Sequence, residues 1–215
     1  MSLETILLIT ALLLAWNLFV IHQLTKHVYT HVLRYRDIPA AYVGRKIVHI
    51  FGGGIIALLI PVFYEGNYWL VTVSAFGLGA YLLFRRRIQP MYWFQVKENM
   101  YEVHFAFAYG TILLTGVLLN NLNVGLIPIY FMSFGDSATG LIRAVTQKRH
   151  VKSWEGSLAM LIICTIIGYN ILGPYGIAVA AVATLVEKIP KIDDNITVPL
   201  VTGLLVYLQT TIILK

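Results

Sequence analysis

The chain has 215 residues, 58% of them hydrophobic and 12% charged, with a formal net charge of +6; its mean hydropathy is +0.76. A soluble domain carries about 25% charged residues, so this deficit, with repeated apolar runs of ~17–22 residues, excludes a soluble globular protein and predicts an all-α, polytopic transmembrane helical bundle. The single cysteine, Cys164, excludes a disulfide framework within the chain and reads as a small packing residue.

In chain order the apolar runs predict about eight spans, at residues 3–21, 47–64, 68–84, 103–119, 124–144, 157–172, 175–188 and 196–214. The seventh is short; a re-entrant segment there would leave seven. The first run has neither a basic leader nor a small-residue cleavage site and reads as a retained span. The segment from His22 to Ala40, with His22, His27 and His31 near helical spacing, reads as an interfacial helix rather than a metal site. The expected organisation is a single integral membrane domain over 1–215, with a span and interfacial helix in 1–40 and a bundle carrying the chemistry in 41–215.

The charges alternate between connections. Lys26, Arg34, Arg36, Arg45 and Lys46 follow the first span. Arg85, Arg86, Arg87 and Lys97 follow the third, Arg143, Lys148, Arg149 and Lys152 the fifth, and Lys188 and Lys191 the seventh. Only Lys215 is left over, and the even-numbered connections contain no Lys or Arg. The positive-inside rule then places the odd connections in the cytoplasm and both termini outside. The basic balance is thus a topology signal and an attraction to anionic lipid headgroups, not a nucleic-acid footprint. Arg85, Arg86 and Arg87 are expected to serve orientation alone.

Ionisable groups inside spans cost about 2.5–3.5 kcal/mol each at the helix centre and mark function by default. Asp136 qualifies, and its spacing to Gly140 and Arg143 puts all three on one helix face. The plainer alternative is an ion pair of Asp136 with Arg143 or a lysine, joining helices. Ser153 reads as an N-cap with Glu155 in the first turn of the next helix. The free N–H groups there suit an anion, and Lys148 and Lys152 stand close in sequence to neutralise phosphates. Gly156 and Ser157 complete the stretch. In the second span Arg45, His49 and Gly52 fall on one face. Glu187, Asp193 and Asp194 gather at one end of the last two spans. Hard carboxylate oxygens suit Mg²⁺; the alternative is a solvated turn, with one of the two aspartates capping and the other functional. Glu98, Glu102 and His104 form a weaker set. Walker, Rossmann, nucleophile-elbow and zinc patterns are absent.

Three ordered stretches, RKIVHIFGGG, SFGDSATGLIRA with KSWEGSLAM, and TLVEKIPKIDDNITVPL, resemble the polyprenol kinase family, which includes dolichol kinases, phytol kinases and CTP-dependent diacylglycerol kinases and is related more distantly to phosphatidate cytidylyltransferases. The resemblance spans residues 45–200. It implies a CTP-dependent lipid kinase that phosphorylates the terminal hydroxyl of an isoprenoid alcohol of dolichol, geranylgeraniol or phytol type with Mg²⁺, at the cytoplasmic face of a membrane (the cell membrane in a prokaryote).

Carried across, its motifs fall on Arg45, Lys46 and His49, on Gly135 and Asp136, on Lys152, Ser153, Gly156 and Ser157, and on Glu187, Asp194, Asn195 and Pro199. Asp136, His49 and Arg45 are then the expected catalytic groups, and Asp136, Glu187 and Asp194 the metal ligands. Lys46, Arg143, Lys148, Lys152, Ser153, Glu155, Gly156, Ser157 and Asn195 are expected to hold CTP. The chain departs from the family where Arg143-Ala144-Val145-Thr146-Gln147-Lys148 lacks the glycine pair that often follows the G-D motif. Two other readings are cytidylyl transfer onto a phosphorylated lipid, and a small ion-coupled transporter with Asp136 and Glu187 in its path. The expected partners are CTP, the lipid alcohol and membrane lipids, with no nucleic acid.

Overall fold

The computed structural model describes residues 1–33, 39–146, 153–189 and 193–213. These residues form eight continuous helical stretches and no strand, counting single π-helical turns as part of the helix that contains them. They are α1 (Leu3–Leu33), α2 (Ala40–Phe63), α3 (Trp69–Ile88), α4 (Tyr101–Leu118), α5 (residues 122–146), α6 (Trp154–Leu172), α7 (Pro174–Glu187) and α8 (residues 194–213). Each overlaps one expected apolar run.

Local chemistry sets the ends. Ser2 caps α1 by accepting from Thr5 N–H at 3.2 Å. Gly66 (φ 75°) turns the chain between α2 and α3, and Asn120 (φ 50°) does so between α4 and α5. Gly173 (φ 62°), followed by Pro174 at the first helical position, closes α6 and opens α7. Ser153 and Asp193 cap α6 and α8.

Four of the helices, α1, α2, α4 and α6, are long and apolar enough to cross a membrane. The remaining four fall short of that mark. Arg85, Arg86 and Arg87 lie in the last turn of α3, α5 holds Asp136 and Arg143, and α7 has only 14 residues against the ~20 that a hydrocarbon core needs. The segment expected as an interfacial helix is helical as far as it is described: α1 runs on through His22, His27 and His31 to Leu33.

The packing is that of a protein meant for an apolar solvent. Leu7, Leu8, Leu12, Leu158, Ile162 and Ile166 are exposed along α1 and α6, whereas Lys46, Asp136, Arg143 and Glu187 are buried. Such broad apolar exteriors point to membrane association. One apolar core joins α1–α5 around Ile60, Phe105, Leu113 and Met132. Another joins α5–α8 around Phe131, Met160, Val179 and Val198. The segment between α3 and α4 folds back into the bundle: Met91, Trp93 and Phe94 are buried, and the Trp93 indole donates to the Ile21 carbonyl at 2.7 Å.

Candidate active site

The site forms where α2 meets α5. Both helices carry a π-helical turn there. The Ile55 N–H bonds to the Ile50 carbonyl and the Asp136 N–H to the Phe131 carbonyl, each five residues back. The extra residue per turn re-aims the side chains, a device concentrated at functional sites. The segments Val48–Gly54 and Phe131–Gly135 pack on each other, which sets His49 and Asp136 face to face.

Asp136 accepts from Lys46 Nζ at 2.5 Å, and the His49 Nδ1 lies 3.8 Å from the same oxygen. All three side chains are buried. The ion pair anticipated for Asp136 is therefore present, and its partner is Lys46, not Arg143. Gly140, one turn on, makes room for that lysine, since a Cβ there would press on the Lys46 side chain and sit 2.8 Å from the Tyr42 hydroxyl. His49 stacks on Phe105 with ring centroids 3.7 Å apart. Neither of its ring nitrogens has a hydrogen-bond partner among the described residues.

Arg143 grips Glu187 with both arms, Nη1–Oε1 at 2.8 Å and Nη2–Oε2 at 3.1 Å. Its exposure is 1% and that of Glu187 is 0%. This bidentate pair ties α5 to α7. Arg143, expected to hold CTP, is thus engaged with a carboxylate in this structure. Arg45 donates to Asn99 at 2.5 Å and lies over the Tyr42 and Tyr101 rings.

Asp136, Glu187 and Asp194 each offer one oxygen, all within 4.8 Å of one another. Asp193 is the cap: its Oδ1 accepts from the Asn195 backbone and side-chain N–H groups at 2.9 and 3.0 Å, and its Oδ2 shares a short hydrogen bond with His104. That division leaves Asp194 to the cluster. Asn195 is buried, and its Oδ1 has no hydrogen-bond partner among the described residues.

At the start of α6, Ser153 accepts from Gly156 N–H at 3.3 Å and the Ser157 hydroxyl donates to the Ser153 carbonyl at 3.0 Å. Glu155 is exposed. A Cβ on Gly156 would stand 2.7 Å from Arg143 Nε and 3.1 Å from the Thr139 methyl, so α6 approaches α5 closely only through glycine. Thr139 Oγ1 seals the contact by donating to the Gly156 carbonyl at 3.0 Å. Lys148 and Lys152 lie outside the described residues.

Two pockets meet at this site. A small one is lined by Tyr42, Arg45, Lys46, His49, Tyr101, Asp194 and Asn195. A mainly apolar groove, partly open to the outside, lies between α1, α2, α3 and α4. Arg45 and His49 line both.

Several residues here carried no signal of their own in the sequence. Asn99, Tyr42, Tyr101 and Phe105 reach the site only through tertiary packing. Thr139 had one: it sits three residues from Asp136, on the same helix face. Arg86 differs from expectation, because it pairs with buried Glu102 at 3.1 Å and donates to the Lys97 carbonyl at 2.9 Å, so it braces the α3–α4 connection as well as carrying charge.

Comparison with known proteins gives a distant likeness. The chain is 27% identical over 194 residues to a probable chloroplastic phytol kinase of Glycine max, covering 76% of this chain and 64% of that protein. It is 25% identical over 182 residues to an uncharacterized protein of Methanocaldococcus jannaschii, covering 78% of this chain and 94% of that one. No family model matches, and no solved structure does. The chain is therefore a helical protein distantly similar to a phytol kinase.

Proposed function

We propose that this protein is a lipid-alcohol kinase that transfers the γ-phosphoryl group of CTP to the terminal hydroxyl of an isoprenoid alcohol. One observation carries the reading: His49, buried and with both nitrogens unpartnered among the described residues, stands between an apolar groove and a buried cluster of cations and carboxylates. A group that joins greasy and charged spaces suits a substrate with an apolar tail and a reacting hydroxyl. The likeness to a phytol kinase supports the same chemistry, and CTP as donor rests on the family resemblance.

Phosphoryl transfer is mostly positioning and charge neutralisation. The alcohol's tail occupies the groove and its hydroxyl lies at His49, which accepts the hydroxyl proton as the oxygen attacks the γ-phosphorus. The bond from that phosphorus to the β,γ-bridging oxygen breaks, giving lipid phosphate and CDP. Arg45 and Lys46 neutralise phosphate charge. Lys46 is within hydrogen-bond reach of Asp136 in the resting site and moves its bond to the incoming anion. The Ser153–Ser157 helix start, with Lys148 and Lys152, holds the remaining phosphates, and Asn195 offers an amide in the small pocket. The donor set of Asp136, Glu187 and Asp194, all hard oxygens within 4.8 Å of one another, fits Mg²⁺. When bound there, the ion supplies charge neutralisation for the transferring group. In this reading all eight helices cross the membrane, with the site on the cytoplasmic side where the Lys and Arg residues collect.

The test is an assay of purified protein in detergent with Mg²⁺, a panel of isoprenoid alcohols and diacylglycerol, and CTP labelled with ³²P at either the γ or the α position. Label on the lipid from γ-CTP alone is expected. Label from α-CTP would instead mean cytidylyl transfer, and no label from either would overturn CTP as the donor and turn the test to ATP and then to the transporter reading.

A further inference from the structure

We propose that Glu102 is a specificity-determining residue of this site: its second carboxylate oxygen, on the groove wall shared with His49 and Arg45, accepts the hydroxyl proton of the waiting alcohol and has nothing to hold once that lipid oxygen is an ester. The proposal rests on the lipid-alcohol reading and adds to it the group that tells substrate from product.

Glu102 is 3% exposed and lies in the first turn of α4. Its Oε1 accepts from Arg86 Nη1 at 3.1 Å and from Gln95 Nε2 at 3.2 Å. Both donors are themselves fixed. Arg86 Nη2 donates to the Lys97 carbonyl at 2.9 Å. Gln95 Nε2 also donates to the Leu82 carbonyl at 3.2 Å, while its Oε1 accepts from the Met91 N–H at 2.8 Å. Glu102 Oε2, in contrast, is buried and has no hydrogen-bond partner among the described residues. A buried acceptor left in that state is costly and rare in native structures. Bracing α3 against α4 accounts for Oε1 and leaves Oε2 unexplained.

The groove supplies the explanation. Glu102, Phe105, Ala106 and Tyr109 line it at the i, i+3, i+4 and i+7 spacing of a single helix face. Phe105 on that face stacks on His49. Among the described residues that line the groove, Glu102 is the one acid. An ionised carboxylate only accepts, so what Oε2 takes from the groove must be a donor. A hydroxyl qualifies; an ether, an ester or a deprotonated phosphate oxygen does not. A hydroxyl proton turns freely about the C–O bond, so an alcohol held by Glu102 turns it to His49 when the phosphoryl group arrives. After transfer the lipid oxygen is bonded to phosphorus and carries no proton. It then faces Oε2 acceptor to acceptor. The reaction itself removes the bond that held the substrate, which favours release of the lipid phosphate.

Glu102→Gln tests the role. Arg86 and the Gln95 amide nitrogen offer only donors, so they hold the new amide oxygen at the Oε1 position and set its N–H groups where Oε2 was. The brace is kept while an acceptor becomes a donor. Binding of tritiated geranylgeraniol and of its methyl ether to the purified protein in detergent, without CTP, reads the change. The parent is expected to prefer the alcohol at least about tenfold, the scale of a hydrogen bond to a charged group. Glu102→Gln is expected to bring the two ligands within about twofold, chiefly by tighter binding of the ether. The bulk of the ether methyl cannot produce that rescue, because glutamine is isosteric with glutamate. Equal binding by the parent would overturn the proposal with no variant needed. A preference that survives in Glu102→Gln, or a parallel loss of both ligands, would also overturn it and leave Glu102 a brace. No binding of either ligand would overturn it together with the lipid-alcohol reading. The labelled-nucleotide assay separates the two. Phosphoryl transfer without an alcohol preference ends the role of Glu102 and keeps the kinase. A preference that collapses in Glu102→Gln, without transfer from CTP or ATP, sustains the site and ends the kinase.

Discussion

Three buried cations and three carboxylates share one small volume, and their pairing decides what each substitution does. Removing one partner of a buried pair leaves an uncompensated charge and costs about 3–5 kcal/mol, whereas replacing both by apolar or neutral groups is often close to neutral. Asp136→Asn is therefore expected to abolish turnover and also to lower stability, because Lys46 loses its counter-charge. The double variant Asp136→Asn with Lys46→Met is expected to regain most of that stability and none of the activity. Thermal unfolding in detergent alongside the γ-CTP assay reads both, and a double variant no more stable than the single one would contradict the pairing. His49 has no bond among the described residues to lose. His49→Gln is expected to lower kcat by about 10²–10⁴-fold, the usual worth of a positioned acid–base group, with unfolding little changed. A rate within a few fold of the parent would remove His49 from the chemistry. In the sequence Asp136 stood out because a carboxylate in an apolar run is costly. Its choice of Lys46 over Arg143 did not, since ninety residues separate the partners.

At the scale of elements, the contact of α5 with α6 and α7 holds the carboxylate cluster together. Arg143 bridges to Glu187 on α7, and Thr139 bonds to Gly156 on α6. Gly156→Ala places a methyl 2.7 Å from Arg143 Nε, and overpacking of that kind costs about 1–3 kcal/mol. The expected result is a loss of stability together with weaker CTP use, measured as a raised KM for CTP. Unchanged values for both would show that α6 moves aside freely. Ser153→Ala removes the cap of α6 and is expected to cost about 1 kcal/mol. The helix start at Ser153 was legible in advance because capping is local, whereas at the start of α8 the sequence left open which of Asp193 and Asp194 is the cap. The π-helical turns before Asp136 and around His49 were not legible: no pattern of neighbouring residues announces them.

For the whole molecule, the alternation of basic and charge-free connections predicts which ends of the helices face the cytoplasm. Cys164 is buried, and a Cys164→Ala background permits single cysteines to be placed at Asn121 and at Arg87. In intact cells a membrane-impermeant maleimide is expected to label the first and spare the second; the reverse would invert the topology. Chelating divalent cations is expected to abolish phosphoryl transfer, with Mg²⁺ restoring it, and activity that survived chelation would remove the carboxylate cluster from metal binding. The sequence by itself determined that the chain is helical and made for an apolar solvent, where α6 starts, and which stretches resemble a lipid kinase. Those properties follow from composition, periodicity and caps, which act over a few residues. Tertiary structure alone decided that Lys46 neutralises Asp136, that Arg143 is held by Glu187, that Asp193 caps while Asp194 joins the cluster, and that an apolar groove opens beside His49. Each of these depends on which helix faces which, and that is set by the packing of whole surfaces rather than by any segment.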